Sequence, residues 1–322
     1  MARILLLGVG SIGSVYALIF TRAGAEVVCV CRSNFEAAKT SGLRIESVIF
    51  GDQTINPAIV SSVDEAVRLS EQPFDFVVIC TKSFPGAQQQ TVKSLAPALQ
   101  DSTTAVVLFQ NGISVEIDYQ KGYPANPIIS GVVYMPTTRT SAVSVKHSDG
   151  ERLYLGSFPS TASQDHVHRL SSVLRAGGAT VHLPEDVQGE RWKKIVANGA
   201  WNPIGALSRC RDIQFLQAAP LASHVVLEIM REICTVAAAC GYAQAANEET
   251  IKFQMSRTHA RQYPGVEPSM MSDMHGGRPM EVEAILGGIL AFARERSVSV
   301  PRLETLYVLL AGLNDSLRKN ER

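Results

Sequence analysis

Short, nearly continuous apolar runs, each followed at once by polar residues, recur through the first half of the chain. Residues 3–7, 26–31, 74–80, 104–109 and 128–134 are of strand length, and such runs mark strands buried on both faces of a parallel sheet. Helical periods separate them at 14–23, 63–70 with Ser62 as the cap, 88–99 and 164–176, and a last strand is expected at 179–183. Residues 42–59 read as a short antiparallel excursion. Residues 143–147 and 153–156 read as a hairpin turning at Ser148-Asp149-Gly150. Strands alternating with helices predict an α/β, doubly wound, mostly parallel sheet of Rossmann type.

The pattern changes after Pro184-Glu185-Asp186. Beyond it almost only helical periods remain, at 188–206, 221–240 with Gly241 as its C-cap, 245–255, 280–296 and 302–317. Pro203 is expected to end or kink the first of these. Glu281 is expected in the first turn of the fourth, where a carboxylate suits the helix dipole. Val282, Ile285, Leu286, Ile289 and Phe292 form that helix's apolar face. Two domains follow, 1–186 with the sheet and 187–322 all-α.

The first strand ends in Gly8-Val9-Gly10-Ser11-Ile12-Gly13 and a helix opens directly after it. In that setting a G-x-G-x-x-G has a mechanism. Gly8 permits a tight turn, Gly10 lets a pyrophosphate approach the backbone, and Gly13 lets helix pack close to strand. The free N–H groups and dipole of the helix N-terminus then hold the phosphates. The second strand ends in Arg32-Ser33-Asn34, where an NAD-binding fold would have a carboxylate for the ribose 2′-hydroxyl. A guanidinium there suits a 2′-phosphate and favours NADP(H) over NAD(H); an ordinary surface arginine is the alternative.

Composition narrows the partners. The 322 residues are 46% hydrophobic with a formal net charge of zero, so no basic stripe argues for nucleic acid. No apolar stretch reaches the ~18 residues of a membrane span. The N-terminal apolar run is short and flows into the glycine turn without a cleavage site, which points to the cytoplasm. The six cysteines form no C-x-x-C and no zinc spacing, so buried reduced thiols are expected and no metal. A homodimer through the apolar helical domain is a further expectation.

Polar residues set against apolar surroundings supply the candidate chemistry. Lys82 and Asn111 follow the third and fourth buried strands, at the end of the sheet where open α/β folds bind ligands. Lys194, Asn198 and Asn202 are spaced i, i+4, i+8 and share one stripe of a helix among Ile195, Val196, Ala197 and Ala200. A solvated stripe is the plain alternative, but asparagines are poor helix formers to choose for a surface.

These residues together resemble the 2-dehydropantoate 2-reductase, or ketopantoate reductase, family, nearly end to end. The resemblance rests on the glycine turn, Cys80-Thr81-Lys82, Gln110-Asn111-Gly112, the run Trp192-Lys193-Lys194 with Asn198 and Asn202-Pro203, Ser269-Met270-Met271-Ser272-Asp273, and Glu281-Val282-Glu283. It implies hydride transfer from NADPH to a small 2-keto acid, 2-dehydropantoate giving (R)-pantoate, in the pantothenate and coenzyme A pathway. It implies Lys194 as general acid, Asn198, Asn202 and Ser269 as substrate-binding residues, Lys82 and Asn111 as cofactor contacts, and Glu281 as a carboxylate closing the site. The chain departs from the family pattern at Ile113-Ser114-Val115-Glu116, at Trp201, and at Asp212, near where some members place a further substrate-binding asparagine. Another NADP-dependent 2-hydroxy-acid or ketone dehydrogenase, or a non-catalytic NADP(H) sensor, are the alternative functions. A sensor would have no use for Lys194, Asn198, Asn202, Ser269 and Glu281 together.

Overall fold

The computed structural model describes residues 1–70, 72–84 and 86–320. They divide into two compact units, one comprising Met1–Asn111 and Val115–Gln188, the other Gly112–Ser114 and the chain from Gly189 onward.

The first unit opens with β1 (Arg3–Leu7), α1 (Ser11–Arg22), β2 (Glu26–Val30), α2 (Phe35–Ser41), β3 (Leu43–Ser47), β4 (Gln53–Ile55), β5 (Ala58–Val60) and α3 (Val63–Leu69). It continues with β6 (Phe76–Ile79), α4 (Ala87–Ser94), β7 (Ala105–Leu108), α5 (Ile117–Gly122), β8 (Ile128–Tyr134), β9 (Thr137–Arg139), β10 (Ser144–His147), β11 (Arg152–Phe158), α6 (Asp165–Ala176) and β12 (Val181–His182). Eight strands form the main sheet in the order β12-β11-β8-β7-β6-β1-β2-β5. Its pairs are parallel except β8 with β11. The Val, Ile and Leu side chains of β1, β6 and β7 are buried on both faces, as strands covered by helices on each side must be. After β1 the chain turns one way to β2 and β5, then returns to β6 on the other side of β1. That reversal opens a crevice beyond the carboxyl ends of β1 and β6.

The expected antiparallel excursion exists as β3 with β4, but the expected hairpin does not. β10 pairs with β3 and β9 in a separate four-stranded sheet, whereas β11 joins the main sheet between β8 and β12. The burial of Leu153, Leu155, Gly156 and Ser157 on consecutive faces explains it: β11 needs cover on both sides. Ser62 caps α3 by accepting from the Glu65 N–H at 3.2 Å, as its position predicts. The helix expected at 88–99 ends at Ser94 and yields to a 3-10 turn over Ala96–Ala98 that carries Pro97. The short helices α2 and α5 carry too few turns to register as a period.

The second unit contains α7 (Val187–Ser208) from Gly189 onward, α8 (Asp212–Ala218), α9 (Ala222–Ala239), α10 (Glu248–His259), α11 (Ser269–His275), a π-helical turn (Glu283–Gly287), α12 (Gly288–Glu295) and α13 (Pro301–Asn320). Pro203 lies inside α7, which neither stops there nor gives way before Ser208. Burial of Trp201, Asn202, Ile204 and Ala206 around it outweighs the missing N–H, because tertiary packing overrides local propensity. Glu281 is not in a first helical turn either. It precedes the helix, its backbone carbonyl accepting from the Ile285 N–H at 3.1 Å, and the widened turn follows. Glu283 there folds back over Gly287, where a Cβ would run into its carboxylate, and accepts from the Tyr307 hydroxyl at 2.6 Å. No helix among the described residues is long and apolar enough to cross a membrane.

Candidate active site

In the first unit the glycine turn takes the shape that its spacing predicts. Gly8 has φ +91°, a conformation that side chains rarely adopt, and a Cβ there would stand 2.6 Å from the Thr81 nitrogen. A Cβ on Gly10 would meet nothing within 4 Å, so the space before α1 is open. A Cβ on Gly13 would run into the Gly8 carbonyl oxygen, which is why helix and turn can lie so close. Gly10 is the N-cap of α1, with no side-chain cap and no acidic residue in the first turn. The N–H groups of Ser11, Ile12 and Gly13 head a helix whose dipole favours an anion. This open, uncapped cradle fits a dinucleotide pyrophosphate.

Around it the carboxyl ends of four adjacent strands converge. Arg32 is exposed beyond β2, Lys82 beyond β6 and half-buried Asn111 beyond β7. Two residues that appear in the sequence motifs without a role of their own hold this edge together. Asn34 donates through Nδ2 to the Val9 carbonyl at 3.1 Å, tying the glycine turn to the end of β2. Gln110 donates through Nε2 to the Thr81 carbonyl at 2.9 Å, joining the loops after β6 and β7. The polar-after-apolar signal that pointed to Lys82 and Asn111 applies equally to these two.

In the second unit, α7 presents Lys194, Asn198 and Asn202 along one face. Lys194 and Asn198 are half-buried and Asn202 is 4% exposed. Asn202 reaches α11: its Oδ1 accepts from the Ser269 hydroxyl and from the Met270 N–H, each at 3.1 Å. That commits the oxygen and turns the Nδ2 donors away. Gly205, one helical turn on, lets α7 lie against Pro268, since a Cβ there would stand 2.8 Å from the proline ring. The helix carrying Ser269 is thus seated on the stripe.

Lys194 is electrostatically set apart. Burial pushes its ammonium down from the usual lysine range to about 7, the Arg191 guanidinium pushes the same way, and the Glu281 carboxylate opposes both. Burial and a like charge win over a single counter-charge. An amine poised near neutrality beside a carboxylate and fixed amides is suited to passing a proton to a developing alkoxide.

Two departures noted in the sequence resolve differently. Asp212 is 2% exposed, and its carboxylate accepts from the Val266 N–H at 2.8 Å and pairs with Arg261. It braces the loop leading toward Ser269 and is spent within the fold, so it does not stand in for a substrate-binding asparagine. Trp201 is 7% exposed, and its indole N–H has no acceptor among the described residues. Seven residues from Lys194, it lies within about 20° of it around the helix axis. Arg191, 3% exposed, is the residue of the unit that sequence reasoning passed over; a charged residue three before Lys194 was its signal.

Comparison with known proteins places the chain in a family. The ketopantoate reductase PanE/ApbA family model matches residues 4–160, and its C-terminal counterpart matches residues 186–314. A crystal structure of 2-dehydropantoate 2-reductase from Methylococcus capsulatus superimposes with a TM-score of 0.86 at 32% identity, covering 98% of this chain and 97% of that one. A 2-dehydropantoate 2-reductase from Nostoc sp. is 27% identical over 98% of this chain and 96% of its own length. D-mandelate dehydrogenase, solved with NADH and anilino(oxo)acetate, has a TM-score of 0.84 at 20% identity, over 98% of this chain and 99% of that one, a likeness of fold.

Proposed function

The chain belongs to the ketopantoate reductase family, and from that premise we propose that it is an NADPH-dependent reductase of a small 2-keto acid, turning 2-dehydropantoate into (R)-pantoate in the cytoplasm. The observation that carries this reading is Lys194: an amine held near neutrality on the same helix as Asn198 and as Asn202, which is bonded to Ser269.

Gly8, Val9, Gly10, Ser11, Ile12 and Gly13 would hold the dinucleotide at the head of α1, with Lys82 and Asn111 beside it and Arg32 toward the 2′-phosphate. When bound, the reduced nicotinamide supplies a hydride. Everything else falls to the chain. Lys194 gives a proton to the oxygen of the keto group as negative charge develops there, and its positive charge stabilises that oxygen beforehand. With a pKa near the working pH, the amine is protonated often enough to give and neutral often enough to be recharged. Glu281 keeps the ammonium form populated against burial and Arg191. Asn198, the Nδ2 end of Asn202 and the Ser269 hydroxyl hold the carboxylate and distal hydroxyl of the substrate, fixing the keto carbon for attack. Lys194 and these partners lie in the second unit and the dinucleotide residues in the first.

Trp201 favours a second reading within the same chemistry. A buried indole on the Lys194 face would shape the site for a 2-keto acid other than 2-dehydropantoate. The test is oxidation of NADPH by the purified protein with 2-dehydropantoate, followed by absorbance, beside a Lys194→Ala control. Turnover that the control loses supports substrate and acid together. Tight NADPH binding without turnover overturns 2-dehydropantoate and moves the search to other 2-keto acids.

A further inference from the structure

Arg191 stands one turn before Lys194 on α7. Residues at i and i+3 of a helix have Cβ atoms about 5–6 Å apart. The guanidinium is buried and cannot swing to solvent: Nη1 donates to the Gly112 carbonyl at 3.1 Å. Gly112 is itself fixed. It has φ +109° and lies so close to the Ala284 carbonyl that a Cβ would collide with it, and the next residue, Ile113, donates its N–H to the same carbonyl at 3.3 Å. Guanidinium keeps its charge at any working pH, so the structure fixes a permanent cation beside the Lys194 amine.

Other charges near Lys194 have partners or face it directly. On its own helix, Glu190 pairs with Lys193 at 2.6 Å. From the segment before the π-helical turn, Glu281 faces it. Among the described residues, the Arg191 guanidinium and the Glu281 carboxylate are the charges that act on Lys194 in opposite senses.

We propose that Arg191 is a positioning residue for the reaction, a buried cation anchored on Gly112 that makes the Lys194 ammonium a readier proton donor by like-charge repulsion. The proposal rests on Lys194 being the proton donor and goes beyond it by naming what sets its readiness. Repulsion from a neighbouring cation raises the energy of the charged amine, and the anchor keeps that cation from relaxing away.

The test reads the amine itself, without substrate. Wild type, Arg191→Gln, Arg191→Met and Arg191→Lys are acylated with a small amine-reactive reagent across a pH series, and labelling of the Lys194 peptide is quantified by mass spectrometry. Arg191→Gln keeps a donor for the Gly112 carbonyl and drops the charge. Its labelling midpoint is expected about one pH unit above wild type. Arg191→Lys keeps the charge and is expected to restore the wild-type midpoint. Arg191→Met stands in as the neutral variant if the glutamine variant melts abnormally. A neutral variant with the wild-type midpoint overturns the proposal, as does an equal shift in the neutral and lysine variants, which would reveal a purely structural role. A protein that fails to reduce 2-dehydropantoate leaves this readout intact, so the two failures are separable.

Discussion

Asn202 and Ser269, from two helices, meet through one oxygen: the Asn202 Oδ1 accepts from the Ser269 hydroxyl and from the backbone N–H of the next residue, Met270, at 3.1 Å each. The amide is thereby oriented, with its acceptor turned to α11 and its donors pointing away from it. Asn202→Ala is expected to lower kcat/KM about 10- to 100-fold and to destabilise the protein by about 1–3 kcal/mol, because a buried N–H loses its acceptor. Ser269→Ala should share the kinetic loss with little change in melting, since Ser269 is an exposed residue. Steady-state rates and thermal melts of the two variants separate these effects.

With Lys194 as the proposed proton donor and its pKa pushed down to about 7, the reaction acquires a signed pH profile. Reduction needs the ammonium, so kcat/KM is expected to hold below pH 7 and to fall about tenfold per unit well above it. Oxidation of the hydroxy acid needs the neutral amine and should rise over the same range. Lys194→Ala is expected to lose about 10²–10⁴ in kcat and to flatten the profile. Initial rates in both directions across pH check this.

The same depression costs stability. The folded amine binds its proton near pH 7 and the unfolded one near 10.5. Between those values the unfolded chain holds more protons, so stability rises with pH. Below 7 the cost is present in full. Lys194→Met removes it and is expected to stabilise the protein by about 1 kcal/mol at pH 6, discounted for the half-exposed side chain, or about 2–4 °C in Tm. The advantage should vanish by the upper end of the window, which melts at several pH values would reveal.

Arg32 is exposed at the end of β2, with no carboxylate beside it in the strand-end sequence Arg32-Ser33-Asn34. Arg32→Ala is expected to weaken NADPH binding about tenfold and to leave NADH binding unchanged, because only the 2′-phosphate carries the extra charge. Fluorescence titration with both nucleotides measures the difference.

Two glycines of one motif should fail in different ways. Gly10→Ala places a methyl group in open space, so melting is retained and nucleotide affinity falls. Gly13→Ala drives a methyl into the Gly8 carbonyl, and the helix must shift at a cost of about 1–3 kcal/mol. Paired melts and binding titrations distinguish them.

Much of this was legible in the sequence because it depends on short-range rules. The glycine spacing dictates a turn whose geometry is local, and the i, i+4, i+8 stripe of Lys194, Asn198 and Asn202 is a property of any helix. What escaped depends on the partner that a segment finds. β10 and β11 look like a hairpin until two different sheets claim them. Pro203 should end or kink a helix on local grounds, and buried neighbours keep α7 going to Ser208. Arg191 acquires its significance from the Gly112 carbonyl, nearly eighty positions earlier in the chain.

That earlier segment bears on how the molecule is made. Gly112–Ser114 belongs with the helical unit, and Ile113 joins the same buried cluster as Trp192, Ile195 and Leu286. These three residues leave the ribosome well before α7 exists, so the helical unit completes its interior with a piece of chain already synthesised and waiting. Cutting the gene at the start of α7 would therefore yield a helical fragment with a gap where Ile113 packs and a buried guanidinium deprived of its carbonyl.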